Sequence, residues 1–108
     1  MANPTRVSIL HRRSLNQAML YTGHAPAQTL VEPSVYLRAL RSALRMSQAR
    51  LARRSGVPQA HIARLEAGEI DLRLETLRRL FDAMFCDLLI LPRPLRRPSD
   101  VIAERDLE

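Results

Sequence analysis

Residues Ser47 to Gly68 leave the chain little freedom. The run Ser47-Gln48-Ala49-Arg50-Leu51-Ala52-Arg53-Arg54-Ser55-Gly56-Val57-Pro58-Gln59-Ala60-His61-Ile62-Ala63-Arg64-Leu65-Glu66-Ala67-Gly68 holds two short helical patterns separated by one glycine. Ser47 is placed to cap a helix from about Gln48 to Arg54. Gly56 breaks that helix, and Pro58 suits the first position of the next one, where its missing N–H costs nothing. That next helix ends at Gly68, which can take the left-handed conformation of a C-cap. Leu51, Val57, Ile62 and Leu65 fall on a shared inner face. Ala52 is small where the two helices cross, and a larger side chain there would push them apart.

The flanking sequence supplies helices for this pair to pack on. Ser34 can cap a preceding helix that buries Leu37, Leu40 and Leu44 and exposes Arg38, Arg41 and Arg45. Leu74 to Phe85 reads as a further amphipathic helix with Leu74, Leu77, Leu80, Phe81 and Met84 inward. Aromatic residues make up only 4% of the 108-residue chain, so the core must be aliphatic, which suits packed helices. Asp87-Leu88-Leu89-Ile90-Leu91, stopped by Pro92, reads as a short strand. A lone strand has unpaired edges. They would be satisfied by the same strand of a second copy through Leu88, Leu89, Ile90 and Leu91; otherwise the segment is a tail buried on its own domain.

The ends are less legible. Thr5 to Leu10 alternates as a short strand would, Ser14 can cap a helix through Leu20, and Gly23 to Thr29 reads as a loop. Residues 1–33 are therefore taken as an N-terminal arm, 34–91 as the helical domain, and 92–108 as a Pro/Arg-rich tail with at most a weak helical turn after Ser99. Arg93, Arg96 and Arg97 in that tail suit contact with a polyanion or partner, or plain solvation.

Charge narrows the partners. The formal net charge is +6, and all 17 basic residues are Arg. Between Val35 and Glu66 seven Arg (38, 41, 45, 50, 53, 54 and 64) face a single acid, Glu66. Such a local excess is the footprint of phosphate binding, or else a solvated basic face. Arg50, Arg53 and Arg54 are phosphate candidates on this ground.

Chemistry of other kinds has no residues to carry it. The single cysteine, Cys86, makes no internal disulfide and reads as a packed residue in a reducing compartment. No Cys/His cluster has metal-ligand spacing, and no nucleophile–base pair, paired-carboxylate site or phosphate-cradling glycine loop is present. No metal, cofactor or enzymatic activity is expected. With no apolar run of membrane-spanning length and no signal-peptide pattern, the expectation is a cytoplasmic protein without membrane contact.

The sequence Ser-Gln-Ala-x-Leu-Ala, followed at set intervals by Gly, Gln, Ile, Leu-Glu and Gly, resembles the lambda-repressor-like (Xre/Cro) helix-turn-helix family from roughly Ser34 to Met84. The resemblance implies an all-α domain of four to five helices that binds double-stranded DNA, with the helix after Gly56 entering the major groove. It also implies roles. Gln48 matches a glutamine that braces a DNA phosphate and a recognition side chain. Gln59 matches a base-reading position, where its amide suits adenine. Pro58, Ala60, His61 and Arg64 fill the other groove-facing places, Arg64 either pairing with guanine or holding a phosphate. Arg41 and Glu66 match an ion pair that joins the first and third helices of the motif.

There are departures. Arg50 stands where the family has an acid that completes a capping box, and Pro58 and Ala60 replace polar residues, so specificity would rest on Gln59, His61, Arg64 and DNA shape. The strand expected after the last helix makes the layout similar to antitoxins of the HipB kind. The resemblance thus implies a dimeric repressor, often of its own operon, on a palindromic operator. The alternative is an antitoxin that binds both its operator and a toxin protein.

Overall fold

The computed structural model describes residues 9–106. Among them are six α-helices and no strand: α1 Ile9–Gly23, α2 Pro33–Ala43, α3 Gln48–Ser55, α4 Gln59–Glu66, α5 Leu74–Ala83 and α6 Pro98–Asp106, with a 3-10 turn at Ala27–Thr29. The chain divides into two compact units. One is Leu30–Leu89, and the other joins the N-terminal segment through Thr29 to the segment from Ile90 onward.

In the Leu30–Leu89 unit, α3 packs on α4 and α5, and α2 packs on α4. Leu37, Leu51, Ile62, Leu65, Leu80 and Met84 are fully buried, with Met46, Val57, Leu77, Phe81 and Ala83 completing the core. Each fully buried aliphatic side chain contributes about 1.5–3 kcal/mol relative to exposure. Leu40 is partly buried against this cluster. Leu44 and Leu74, expected inside, are 40% and 47% exposed. Leu44 is the residue that ends α2 and Leu74 the residue that begins α5, so neither has a full helical turn to hold it against the core.

The ends of the helices explain the path of the chain. α2 begins one residue before the expected cap: Glu32 is the N-cap and Pro33 takes the first turn. α2, α4 and α5 then close in the same way. The N–H of Met46 donates to Arg41 O and that of Arg45 to Ser42 O; Glu69 donates to Arg64 O and Gly68 to Leu65 O; Cys86 donates to Phe81 O and Phe85 to Asp82 O. This paired pattern is the Schellman motif, and it needs a residue in the left-handed region at its centre. Gly68 (φ +71°) supplies it at low cost, but Arg45 (φ +54°) and Phe85 (φ +63°) do so with full side chains, at about 1–2 kcal/mol each.

The strand expected over Asp87–Leu91 does not form. Residues 86–94 carry no regular secondary structure. Sheet hydrogen bonds need a neighbouring strand, and no other described segment is one. Leu88, expected at a dimer seam, is instead half-buried against the core of its own unit. Leu89 and Ile90 are 74% and 61% exposed.

In the second unit, helix α1 covers the segment expected to start at Ser14 and extends back to Ile9. Of the expected strand Thr5–Leu10, residues 5–8 lie outside the described residues, and Ile9 and Leu10 are helical. The Thr22 hydroxyl donates to Pro92 O at 2.7 Å, tying the end of α1 to the proline-rich segment. The tail then forms a nine-residue helix, more than the weak turn expected. Pro98 starts it, and Arg97 and Arg96 pair with Asp100 and Glu104.

Candidate nucleic-acid interface

The two central helices are set by their caps. The Arg50 N–H donates to Ser47 Oγ at 3.0 Å, so Ser47 caps α3 as expected. The reciprocal bond of a capping box is absent because residue 50 is an arginine. Gly56 then turns the chain at φ +75°, its N–H donating to Ala52 O. Arg79 of α5 reaches across to donate from Nη2 to Ser55 O at 3.1 Å, and the Val57 N–H donates to Ser55 Oγ at 3.2 Å. Pro58 is not the first helical residue but the N-cap of α4, with ψ 141°. Its carbonyl accepts the first N–H groups of the helix, from His61 and Ile62.

α4 is fixed in orientation by a polar triangle. Arg41 Nε donates to Glu66 Oε1 at 2.6 Å and reaches Oε2 at 3.2 Å. Arg41 Nη1 also donates to Met46 O at 2.8 Å. Gln48 Nε2 donates to Glu66 Oε2 at 2.9 Å. The Glu66 side chain is 4% exposed and that of Arg41 15%, so the carboxylate is desolvated but satisfied on both oxygens. Three helices, α2, α3 and α4, meet at one carboxylate. The ion pair implied by the resemblance is therefore present, and Gln48 belongs to it.

The remaining site candidates separate into those presented to solvent and those already engaged. With Ile62 and Leu65 buried, the outer face of α4 carries Gln59, Ala60, Arg64 and Ala67, all exposed, beside a half-buried Ala63. Pro58 is exposed at the head of that face. His61 lies on the flank and is half-buried, less available than an exposed reading position. Arg64 is loosely paired with Glu69 at 4.0 Å with both side chains well exposed, an interaction that solvent screens to little. Arg50 and Arg53 are exposed on α3. Arg54 is different: its Nε donates to Ala83 O at 2.9 Å, and its guanidinium lies 4.6 Å from the Phe85 ring centroid. One of its N–H groups thus closes the C-terminal end of α5.

Arg79, Arg54 and Phe85 have structural roles that the linear sequence did not reveal. Each role depends on α5 lying across α3, and neither spacing nor charge marks it. Among the described residues no group of acids, histidines or cysteines is placed to hold a metal. No helix of the described residues is long and apolar enough to cross a membrane.

Four helices over Leu30–Leu89, with α3 and α4 joined by a glycine turn and α4 open on its outer side, define a helix-turn-helix domain. The helix-turn-helix family model matches residues 37–91, half of the chain. The chain belongs to this lambda-repressor-like helix-turn-helix family. It is also 37% identical over 59 residues to y4dL, an uncharacterised HTH-type transcriptional regulator of Sinorhizobium fredii. The aligned region is 55% of this chain and 30% of that relative, so the chain spans under a third of its length. No solved structure matches the chain.

Proposed function

We propose that this chain is a sequence-specific regulator of transcription that lays α4 in the major groove of double-stranded DNA. The observation that carries the reading is the part-buried Arg41–Glu66–Gln48 triangle, which holds α4 rigidly with its outer face clear of the core. Gln59 reads base edges at the head of that face, Arg64 reads guanine or holds a phosphate, and Arg50 and Arg53 hold phosphates. Family membership and the likeness to y4dL, an HTH-type transcriptional regulator, support the same reading.

An eight-residue helix spans few base pairs, so a palindromic operator read by a homodimer supplies the second half-site, about 34 Å away. The exposed Leu89 and Ile90 side chains, with Leu91, are the apolar surface offered for that contact. The role is that of a repressor, with its own promoter as the first operator to test. The likeness to HipB-type antitoxins rested on a strand after α5, and without that strand nothing favours the antitoxin reading.

The test is a binding titration with duplexes covering the chain's own promoter against a random duplex of equal length, across a salt series. A promoter segment bound at least 100-fold tighter than the random duplex supports the reading. Equal affinity for both overturns it.

A further inference from the structure

Among the described residues, the only non-glycine residues with positive φ are Arg45 and Phe85, and both line the same notch. Its other walls are Leu44, Met46, Arg50 and Arg54. Glycine closes α4 in the same motif, so at Arg45 and Phe85 the chain holds large side chains in a conformation that glycine adopts without strain. Strained residues of this kind persist where surrounding structure and use over-determine them. What the two residues share is the notch.

The chemistry of the notch is one-sided. Three arginines line it, and no acidic residue does. Arg54 spends one N–H on Ala83 O and keeps four donors. Beside these cations Phe85 is 74% exposed and Leu44 40%, an apolar floor that solvated phosphate would not use. The volume is about 180 Å³, below the roughly 300–1,000 Å³ of small-molecule pockets. It suits one large side chain rather than an effector molecule. None of these residues is on the outer face of α4.

We propose that this notch is a docking site for a partner protein segment in which a Leu or Phe side chain is flanked by carboxylates. The apolar side chain lies against Phe85 and Leu44, and the carboxylates meet Arg45, Arg50 and Arg54 in charge-assisted hydrogen bonds. Arg54, already held over the Phe85 ring, fixes that ring as a rigid platform. The ligand differs from duplex DNA, and of the notch residues only Arg50 is shared with the phosphate contacts proposed above.

The probe is a fluorescein-labelled hexapeptide with two acidic residues on each side of a Leu-Phe pair, titrated against the full chain by anisotropy. Saturable binding is expected, weakened at least tenfold when Leu-Phe is replaced by Ser-Ser. Phe85→Ala and Arg50→Ala should each weaken it at least fivefold. Arg78→Ala, which removes an equal charge outside the notch, should change it less than twofold. Phe85→Gly relieves the backbone while removing the ring, so a higher melting temperature with lost peptide binding separates docking from folding. The proposal is overturned by no saturable binding at millimolar peptide, or by equal losses in Phe85→Ala and Arg78→Ala. It is equally overturned if Phe85→Ala weakens duplex DNA at least fivefold, which would make the notch part of the nucleic-acid surface.

Discussion

Arg41 and Glu66, 25 positions apart in sequence, meet at 2.6 Å with only 4% of the Glu66 side chain exposed. Removing one partner of a buried pair leaves the other charge uncompensated and costs about 3–5 kcal/mol. Arg41→Met should therefore lower stability by about that amount in urea unfolding. The double variant Arg41→Met, Glu66→Leu should regain most of the loss, because apolar replacement of both members of a buried pair is often neutral. A double variant no more stable than the single one would show that the pair does more than balance charge.

Gln48 donates to the same carboxylate, and a hydrogen bond to a charged group is worth about 1.5–3 kcal/mol. Gln48→Ala should lower stability toward the low end of that range, since Arg41 remains. DNA affinity should fall on all sequences alike. A variant with unchanged urea midpoint would mean that the Gln48–Glu66 bond contributes nothing in solution.

Arg45 sits at φ +54° in the turn after α2. Arg45→Gly should stabilise the domain by about 1 kcal/mol, a rise of about 4–8 °C in melting temperature for a domain of this size. The opposite exchange at Gly56 (φ +75°) should cost about 1–2 kcal/mol. There an added Cβ would also come within 2.8 Å of Arg79 Nη2 and displace the bond to Ser55 O. Calorimetry of both variants checks the two signs together.

Arg53 and Gln59 should fail differently. Arg53→Ala should weaken binding to promoter and random duplex alike and reduce the salt slope by about one unit. Gln59→Ala should cost about 1–3 kcal/mol on the operator and little on random DNA. Equal losses on both duplexes for Gln59→Ala would remove it from base reading.

Ile90→Asp should convert a dimer to monomers in light scattering, and operator affinity should fall with it. An unchanged dimer would place the two-fold contact elsewhere than Leu89 and Ile90.

How much of this was legible follows from where the signals are local. Ser47, Gly56 and Gly68 mark the ends of α3 and α4 because capping and positive φ are written into single residue types. The spacing of Leu51, Ile62 and Leu65 then gives the inner face. Where a turn is closed by a residue with a side chain, as at Arg45 and Phe85, nothing in the residue type announces it. Pro58 was off by one position, since the same ring that suits the first turn also suits a cap with extended ψ. The apolar run after Asp87 reads as a strand because it is too short for a further helix and Pro92 stops it. Its fate was set by Leu88 finding the core, which is a tertiary fact. The Arg79 and Arg54 caps were invisible for the same reason. Seven arginines predicted a phosphate surface, but the sequence had no means of showing which of them the fold would spend on itself.

The outer face of α4 carries Ala60, Ala63 and Ala67 beside Gln59 and Arg64, and none of the three alanines is buried. Alanine is the strongest helix former, and ordinary replacements cost at most about 0.7 kcal/mol each. At Gln59, Ala60 and Arg64 the reading surface is thus nearly uncoupled from the rest of the molecule, whereas Ala63 and Ala67 line a hollow with Arg41, Gln48 and Glu66. Its preference for one DNA sequence over another can drift, or be engineered, by substitutions at Gln59, Ala60 or Arg64 with little effect on the carboxylate at Glu66 or the core beneath.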